Sequence, residues 1–232
     1  MRNPEDVKSD LVQLIQDSKD VSPELASKLD EMSRWIVKKK SGLLRSKSHV
    51  MQLLQELIED STFWLSIQLL SEEDKSAELA ELSTLEMYWY LQLFPAWFNE
   101  KDPKLHIWKE NLMAGNFEGK DAAFINKVCS KLKNCGGETL NPFIADLSMS
   151  TDFIASGSQQ IPLCVQITTV RDALSTDKQS QWQKTLKHWS IRRGIFISYN
   201  PSQIQVDVKI AQYALTHSDR LPEQCYHQLT IR

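Results

Sequence analysis

Two polar positions and a pair of lysines in the second half of the chain have types and spacing that suit phosphodiester chemistry. Asp152 opens a strand predicted over residues 152–155, and Gln166 lies inside the next strand, predicted over residues 163–169. A helix predicted over residues 178–190 follows and carries Lys184 and Lys187. Carboxylate and amide oxygens bind hard cations such as Mg²⁺, and an ammonium group can neutralise a phosphate. The pattern therefore predicts metal-assisted cleavage of a phosphodiester.

The order of these elements resembles the PD-(D/E)XK, or restriction-endonuclease-like, nuclease core over about residues 118–200. The resemblance is to the branch whose strand motif reads Gln-x-Lys, as in Mrr-type restriction enzymes. In that family an acidic helix precedes a strand with a metal-binding Asp, then come a strand with (Glu/Gln)-x-Lys, a helix and another strand. Asp152 matches the Asp and Gln166 the Glu/Gln, while Asp121, or with less support Glu118, matches the acidic helix residue.

The chain departs from the family at one catalytic position. Thr168 stands where the family has lysine, and a hydroxyl group cannot supply positive charge to a scissile phosphate. The family sometimes moves this charge to the neighbouring helix, which makes Lys184 and Lys187 the expected substitutes; the alternative is that both are solvated surface lysines. The resemblance thus implies catalytic roles for Asp152, Gln166, Lys184 and Lys187, with Mg²⁺ held by Asp121, Asp152 and Gln166.

Two functions remain open from the residues alone. One is metal-dependent hydrolysis of nucleic acid, which the retained Asp152 and Gln166 favour. The other is a catalytically inactive nuclease fold that acts as an interaction or regulatory module through a helical domain, which Thr168 and the acidic net charge favour. Asp152 also has a purely structural interpretation, because aspartate is common in the turn that precedes a strand.

Charge limits how the chain could contact its expected partner, DNA or RNA. The net charge is −3, which is a poor match for sequence-independent binding of long duplex DNA. Acidic residues predominate before residue 165 and basic residues after it, so we expect phosphate contacts to be local. The residues predicted to make them are Lys38, Lys39, Lys40, Arg45, Lys47, Arg192 and Arg193.

Composition is that of an ordinary globular protein. The 232 residues are 41% hydrophobic and 25% charged, and they contain no apolar run long enough to span a membrane. The N-terminus has neither the basic start nor the apolar stretch of a signal peptide, so a cytoplasmic protein with reduced thiols is expected. Cys164 lies in an apolar strand and is interpreted as a core residue rather than a nucleophile.

The predicted fold class is α+β overall, in two domains. Helical spacing of apolar residues predicts an all-α helical domain over residues 1–115, including one long helix over residues 71–93. Its dense aromatic group is interpreted as core rather than as a base-stacking platform. Residues 116–232 are predicted to form a restriction-endonuclease-like α/β domain with a central mixed sheet. Its predicted strands include residues 143–149 and 194–199, and its last helix residues 206–215, followed by a short tail.

Overall fold

The computed structural model describes residues 2–116, 120–169 and 176–231, without the side chains of Lys120, Asp121 and Thr176. The chain divides into two compact units. The helical unit comprises Met1–Leu82 and Tyr90–Phe117, and the sheet unit comprises Ser83–Trp89 and Glu118–Arg232. An α+β class with a helical N-terminal part is therefore confirmed. Within the described residues, no helix combines the length and the apolar character that crossing a membrane requires.

The helical unit begins with capped helices, as the sequence indicates. Ser22 accepts a hydrogen bond from the Leu25 backbone N–H at 3.2 Å, and Pro23 occupies the first helical position. Apolar residues at helical spacing, such as Leu25 and Leu29, are fully buried. The helices of this unit are α1 (Pro4–Ser18), α2 (Pro23–Ile36), α3 (Ser41–Arg45), α4 (Ser48–Gln68), α5 (Glu72–Ala80), α7 (Phe94–Asn99) and α8 (Leu105–Ala114).

The single long helix predicted over residues 71–93 was wrong. The structure has α5, then a break, then α6 (Thr84–Tyr88) and a π-helical segment (Trp89–Leu93). The break occurs because Ser83 starts a new helix with a capping box, in which Ser83 and Glu86 bond each other's backbone N–H groups.

The aromatic residues that follow this segment belong to the core of the helical unit. Phe94, Trp97 and Phe98 are each at most 5% exposed. Phe94 and Phe98 pack edge to face, and Trp64 packs against Phe98 with ring centroids 5.0 Å apart. The interpretation of these residues as core is therefore confirmed for Phe94, Trp97 and Phe98.

The sheet unit contains, among its described residues, a mixed sheet of five strands in the order β1-β2-β3-β4-β5. Strand β2 is antiparallel to its neighbours β1 and β3, and β3, β4 and β5 are parallel. The strands are β1 (Glu138–Leu140), β2 (Phe153–Ser156), β3 (Leu163–Thr169), β4 (Arg193–Tyr199) and β5 (Cys225–Ile231). The helices, besides α6, are α9 (Lys120–Asn134), α10 (Phe143–Met149), α11 (Thr176–His188) and α12 (Val206–Arg220).

Alternating residues of the strands cover the two faces of the sheet. Val165 and Ile195 belong to a buried cluster with α9 and α12, represented by Leu132 and Ile210. On the other face, Trp182 of α11 packs against Phe196 of β4 with ring centroids 5.5 Å apart. Helices therefore lie on both faces, with α9 and α12 on one face and α11 on the other.

Two glycines mark places where the layers approach most closely. A Cβ atom added at Gly194 would lie 2.4 Å from Leu186 Cδ1 of α11, and one added at Gly137 would lie 2.8 Å from the Ser156 carbonyl oxygen. A side chain at either position would collide with its neighbours. At Gly194, the absence of a side chain allows α11 to lie directly on β4.

Two elements of this unit differ from prediction. Residues 143–149, predicted as a strand, form α10, and residues 225–231, predicted as part of a short tail, form β5. All buried positions of α10 could equally suit a buried strand, because its residues are apolar almost throughout. The last helix also continues past the predicted residue 215 to Arg220, and β5 then completes the sheet.

Candidate functional site

The structure brings Asp152 and Gln166 together. Phe153 pairs with Val165 in the antiparallel ladder, so Asp152, one residue earlier, faces Gln166 across the strands. The Gln166 side-chain Nε2 donates to both carboxylate oxygens of Asp152, at 2.9 and 3.0 Å. Asp152 is 8% exposed and Gln166 is half-buried. The two residues predicted from the order of the strands are thus direct neighbours.

The carboxylate of Asp152 also has a structural task. Strand β3 continues past the point where β2 begins, so the backbone N–H of Ile167 has no partner in the β2 ladder. Asp152 Oδ2 accepts this N–H at 2.5 Å, while the Asp152 backbone N–H donates to the Val165 carbonyl at 2.9 Å. Since an unpaired buried N–H is destabilising, Asp152 stabilises the open side of β3 whatever else it does.

A small cavity of about 30 Å³ adjoins Asp152. A space of this size can hold one water molecule or a small cation. Helix α9 forms one wall through Phe124 and Ile125, which come from its first two turns. Asp121 lies one turn before Ile125 in the same helix, but its side chain and the whole of Glu118 are outside the described residues. The cavity is lined by Phe124, Ile125, Asp152, Ile167, Thr168, Thr169 and Tyr199.

The metal ligands present at this site are few. Among the described side chains, no three or more of His, Cys, Asp and Glu lie close enough together to hold a metal ion. Asp152 offers a carboxylate, and Gln166 would offer a carbonyl oxygen if its amide turned over, since amide O and N positions follow from hydrogen bonding. Hard oxygen donors of this kind suit Mg²⁺, and substrate phosphates commonly supply its remaining ligands.

Thr168 lies in a row of hydroxyl groups that crosses the sheet. It pairs with Ser198 of β4, which pairs in turn with Thr230 of β5. The Ser198 and Thr230 hydroxyl oxygens are 2.8 Å apart. This row crosses three parallel strands near their carboxyl ends; Ser198 is buried, whereas Thr168 is half-buried and Thr230 is exposed.

Lys187 does not lie near Asp152. Its Nζ lies 6.0 Å from the ring centroid of Tyr226 in β5. Two strand spacings separate β5 from β3, which is roughly 10 Å, and Asp152 is one strand further away. The prediction that Lys187 replaces the missing charge is therefore corrected: its ammonium group lies over the far side of the sheet.

The direction of α11 explains this outcome and also weakens the case for Lys184. Because β3 and β4 are parallel neighbours, α11 between them runs antiparallel to both. Its later residues therefore approach the beginning of the strands, whereas Gln166 lies in the middle of β3 and Thr168 near its carboxyl end. Lys184 comes after Trp182, which already packs at the level of Phe196, the register partner of Gln166.

Lys178 is the lysine of α11 that this direction favours, and it was not among the predicted residues. It precedes Trp182 by four residues, so it lies on the same face, about 6 Å closer to the carboxyl ends of β3 and β4. Its side chain is exposed. The spacing of four from an inward tryptophan was the sequence signal that pointed to it.

Arg193 was predicted to contact nucleic acid, and the structure corrects this. It is 5% exposed, and its guanidinium group donates to the carbonyl oxygens of Pro162, Leu221 and Ser218 at 3.1, 2.8 and 2.6 Å. A fourth contact joins Nη2 to the His217 carbonyl at 3.2 Å. Because backbone carbonyl groups accept the hydrogen bonds of the Arg193 guanidinium, Arg193 has a structural role inside the protein.

The other predicted phosphate contacts lie apart from Asp152 or in the helical unit. Arg192 is exposed, pairs with Glu223 at 3.3 Å and lies just before β4, at the opposite end of the strands from Thr168. In the helical unit, Lys39 is half-buried and its carbonyl accepts from Lys8 Nζ at 3.0 Å. The remaining side chains are exposed except for Lys47, which is half-buried: Lys38, Lys40, Arg45 and Lys47.

Cys164 is a core residue, as predicted. It is 1% exposed, and burial raises the pKa of its thiol to about 12. A thiol with so high a pKa stays protonated at neutral pH, which excludes it as a nucleophile.

Comparison with known proteins identifies no family. No family model matches the chain, and neither the curated proteins nor the solved structures contain a match.

Proposed function

We propose that the sheet unit is a nuclease-like domain that hydrolyses phosphodiester bonds in DNA or RNA with the help of Mg²⁺. The observation that carries this proposal is the pairing of Asp152 with Gln166 beside a cavity whose opposite wall is α9. The order of helix α9, strands β2 and β3, helix α11 and strand β4 supports it, because the PD-(D/E)XK resemblance implies this succession; here β1 and α10 lie between α9 and β2.

Asp152, the Gln166 carbonyl and, as a continuing prediction, Asp121 would hold the cation. When bound, Mg²⁺ supplies positive charge to the scissile phosphate and lowers the pKa of a coordinated water. The bond from the Ile167 N–H keeps the Asp152 carboxylate in one orientation, so this ligand is positioned before substrate arrives.

The charge that Thr168 lacks would come from Lys178. Its ammonium group would contact a non-bridging phosphate oxygen, and the Thr168 hydroxyl would donate one further hydrogen bond. Lys178 thus replaces Lys184 and Lys187 as the proposed cationic residue.

A second candidate function has its own observation. Both Asp152 carboxylate oxygens already accept hydrogen bonds, from Gln166 Nε2 and from the Ile167 N–H, so the pair is satisfied without a cation. This arrangement favours a nuclease fold without hydrolytic activity that works as a binding or regulatory module.

Cleavage assays distinguish the two candidates. Single- and double-stranded DNA and RNA would be incubated with Mg²⁺ or Mn²⁺ and the wild-type protein, Asp152→Asn or Lys178→Gln. The Lys184→Gln/Lys187→Gln double variant is the matched control. For hydrolysis we expect Asp152→Asn and Lys178→Gln to lose about a hundredfold or more in rate, as removal of one charge-stabilising group often does. The control should retain the wild-type rate.

Asn is the informative replacement at position 152 because its side-chain oxygen can still accept the Ile167 N–H. Thermal unfolding would verify that each variant remains folded. Absence of cleavage of every substrate by the wild type would overturn the hydrolytic proposal. Cleavage that survives in Asp152→Asn would show that the activity does not arise at this site.

A further inference from the structure

A groove in the helical unit is formed by two adjoining cavities of about 780 and 600 Å³. Each is large enough for a small-molecule ligand. Both belong to α2, α8 and the segment between α7 and α8, so the groove lies entirely within this unit. The residues that line both cavities are Lys28, Glu31, Trp35, Lys101 and Lys109.

Lys28 is the buried cation of this groove. It is 8% exposed, and its Nζ donates to the Glu100 carbonyl at 3.2 Å and lies 5.1 Å from the Trp97 ring centroid. An ammonium group has three N–H donors, and within the described part of the chain Glu100 provides its one hydrogen-bond acceptor. Since a buried charge requires compensation, an anionic group in the groove would satisfy donors that the protein leaves unused.

Trp35 places an aromatic ring in the same groove, and contacts with neighbouring side chains fix the position of that ring. It is half-buried and packs edge to face on Trp108, with ring centroids 6.0 Å apart. Trp108 is itself fixed, because its Nε1 donates to Asp102 Oδ2 at 3.0 Å. On Trp35 the ammonium of Lys109 lies 5.8 Å from the ring centroid, and that ammonium also pairs with Glu31 at 3.5 Å.

The wall shared by the two cavities carries more positive than negative charge. Among the residues that line both cavities, Lys28, Lys101 and Lys109 are cationic and Glu31 is the one anion; Glu24, Glu100, Asp102 and Glu110 each line one of the two cavities. Lysine is a common point-charge ligand for phosphate, and an indole ring can stack on any nucleobase. A buried ammonium, two further lysines and a fixed indole therefore suit a ligand that joins a planar ring to an anion.

We propose that this groove binds a nucleoside phosphate, with the base against Trp35 and the phosphate at Lys28, Lys101 and Lys109. The same chemistry is offered by a free nucleotide and by the phosphorylated end of a single strand. This site is independent of the proposed hydrolytic function, since none of its residues belongs to the sheet unit.

Calorimetric titration of the full chain tests the proposal. The probes are ADP, adenosine, inorganic phosphate, and hexathymidylate with and without a 5′-phosphate. Lys28→Met should weaken ADP and phosphate binding by about tenfold or more, as loss of a buried charge contact does. Trp35→Leu should weaken ADP binding but not phosphate binding. Lys19→Gln, an exposed lysine of the same unit beyond the groove, is the matched control and should change neither.

The relative affinities of the probes show whether the ligand is a free nucleotide or the phosphorylated end of a strand. Preference for ADP indicates a free nucleotide, and preference for the phosphorylated oligonucleotide over the unphosphorylated one indicates a strand end; both support the proposal. Failure of the folded wild type to bind any phosphorylated probe would overturn it, as would equal affinity in Lys28→Met and the wild type. The Asp152→Asn variant should bind ADP with the wild-type affinity, because Asp152 lies in the sheet unit. Absence of ADP binding would therefore overturn the nucleotide proposal without bearing on the cleavage proposal.

Discussion

Two adjacent arginines show how far the surroundings of a residue outweigh its type. The Arg193 guanidinium is held by backbone carbonyls from the loop before β3, the end of α12 and the loop before β5. Arg193→Lys keeps the charge but cannot reproduce this planar set of donors. We expect the free energy of unfolding to fall by about 2–4 kcal/mol, measured by urea denaturation.

Arg192→Lys is the matched control, because Arg192 is exposed and its pair with Glu223 is exposed as well. A change of less than about 0.5 kcal/mol is expected there. Equal losses in the two variants would contradict the structural role assigned to Arg193.

The buried ammonium of Lys28 makes stability depend on pH. Burial lowers its pKa from the ordinary 10.5, and Glu31 and Asp102 only partly oppose this. The unfolded chain therefore binds the proton more tightly than the folded one, and stability rises with pH between the folded and the ordinary pKa. Relative to Lys28→Met, the wild type should be least stable near neutral pH and should gain on the variant as the pH approaches 10.5.

Urea denaturation of both proteins at a series of pH values would measure this difference. Other titrating groups are common to the two chains and cancel. A difference that stays constant with pH would show that Lys28 has the same pKa in the folded and unfolded states.

At the scale of elements, the contact between α11 and β4 depends on Gly194. A Cβ atom at this position would lie 2.4 Å from Leu186 Cδ1 and 3.0 Å from the Trp182 ring, so these two buried side chains would have to shift. Gly194→Ala should therefore destabilise the protein by about 1–3 kcal/mol, as overpacking does.

Gly42 provides a control of opposite sign. It lies in α3, and an added Cβ there would meet no atom within 4 Å. Gly42→Ala should stabilise the protein by about 0.5–1 kcal/mol, since alanine favours the helix. Urea denaturation of the two variants would show a difference in sign; destabilisation by both would contradict the packing argument.

The elements with a clear period were predictable, and those without one were not. Helices α1, α2 and α4 follow from apolar spacing, and Ser22 marks the start of α2. Helix α10 has buried residues at almost every position, so its sequence has no amphipathic period to separate helix from strand. Strand β5 is half exposed and rich in polar residues, and only its pairing with β4 makes it a strand.

The residues of the candidate site also divide into those that could be predicted from the sequence and those that could not. Asp152 and Gln166 could be selected from the sequence because both stand at the strand positions that the PD-(D/E)XK resemblance assigns to metal ligands; the antiparallel pairing that makes them neighbours was not predicted. The choice among Lys178, Lys184 and Lys187 could not, because it depends on the direction and height of α11 over the sheet. Those properties arise from packing between α11, Phe196 and Tyr226, which are distant in sequence.

At the scale of the whole molecule, the units do not coincide with continuous stretches of sequence. Ser83–Trp89 belongs to the sheet unit, where α6 contacts β1 and β2 and Tyr88 bonds the Cys164 thiol. A fragment of residues 118–232 should therefore be less stable than the same fragment joined to residues 83–89 by a flexible linker. Urea denaturation followed by circular dichroism would compare their midpoints, and equal midpoints would contradict a role for α6.

The crowded glycines also bear on how relatives of this chain could be recognised. Gly137 and Gly194 are required by the packing of backbone and helix, whatever chemistry the protein performs. Descendants of a common ancestor that lost Asp152 would still need both, together with Trp182 above β4. A profile anchored on these three positions would trace inheritance of the scaffold, and the residue found opposite Gln166 in each homologue would then trace inheritance of the reaction.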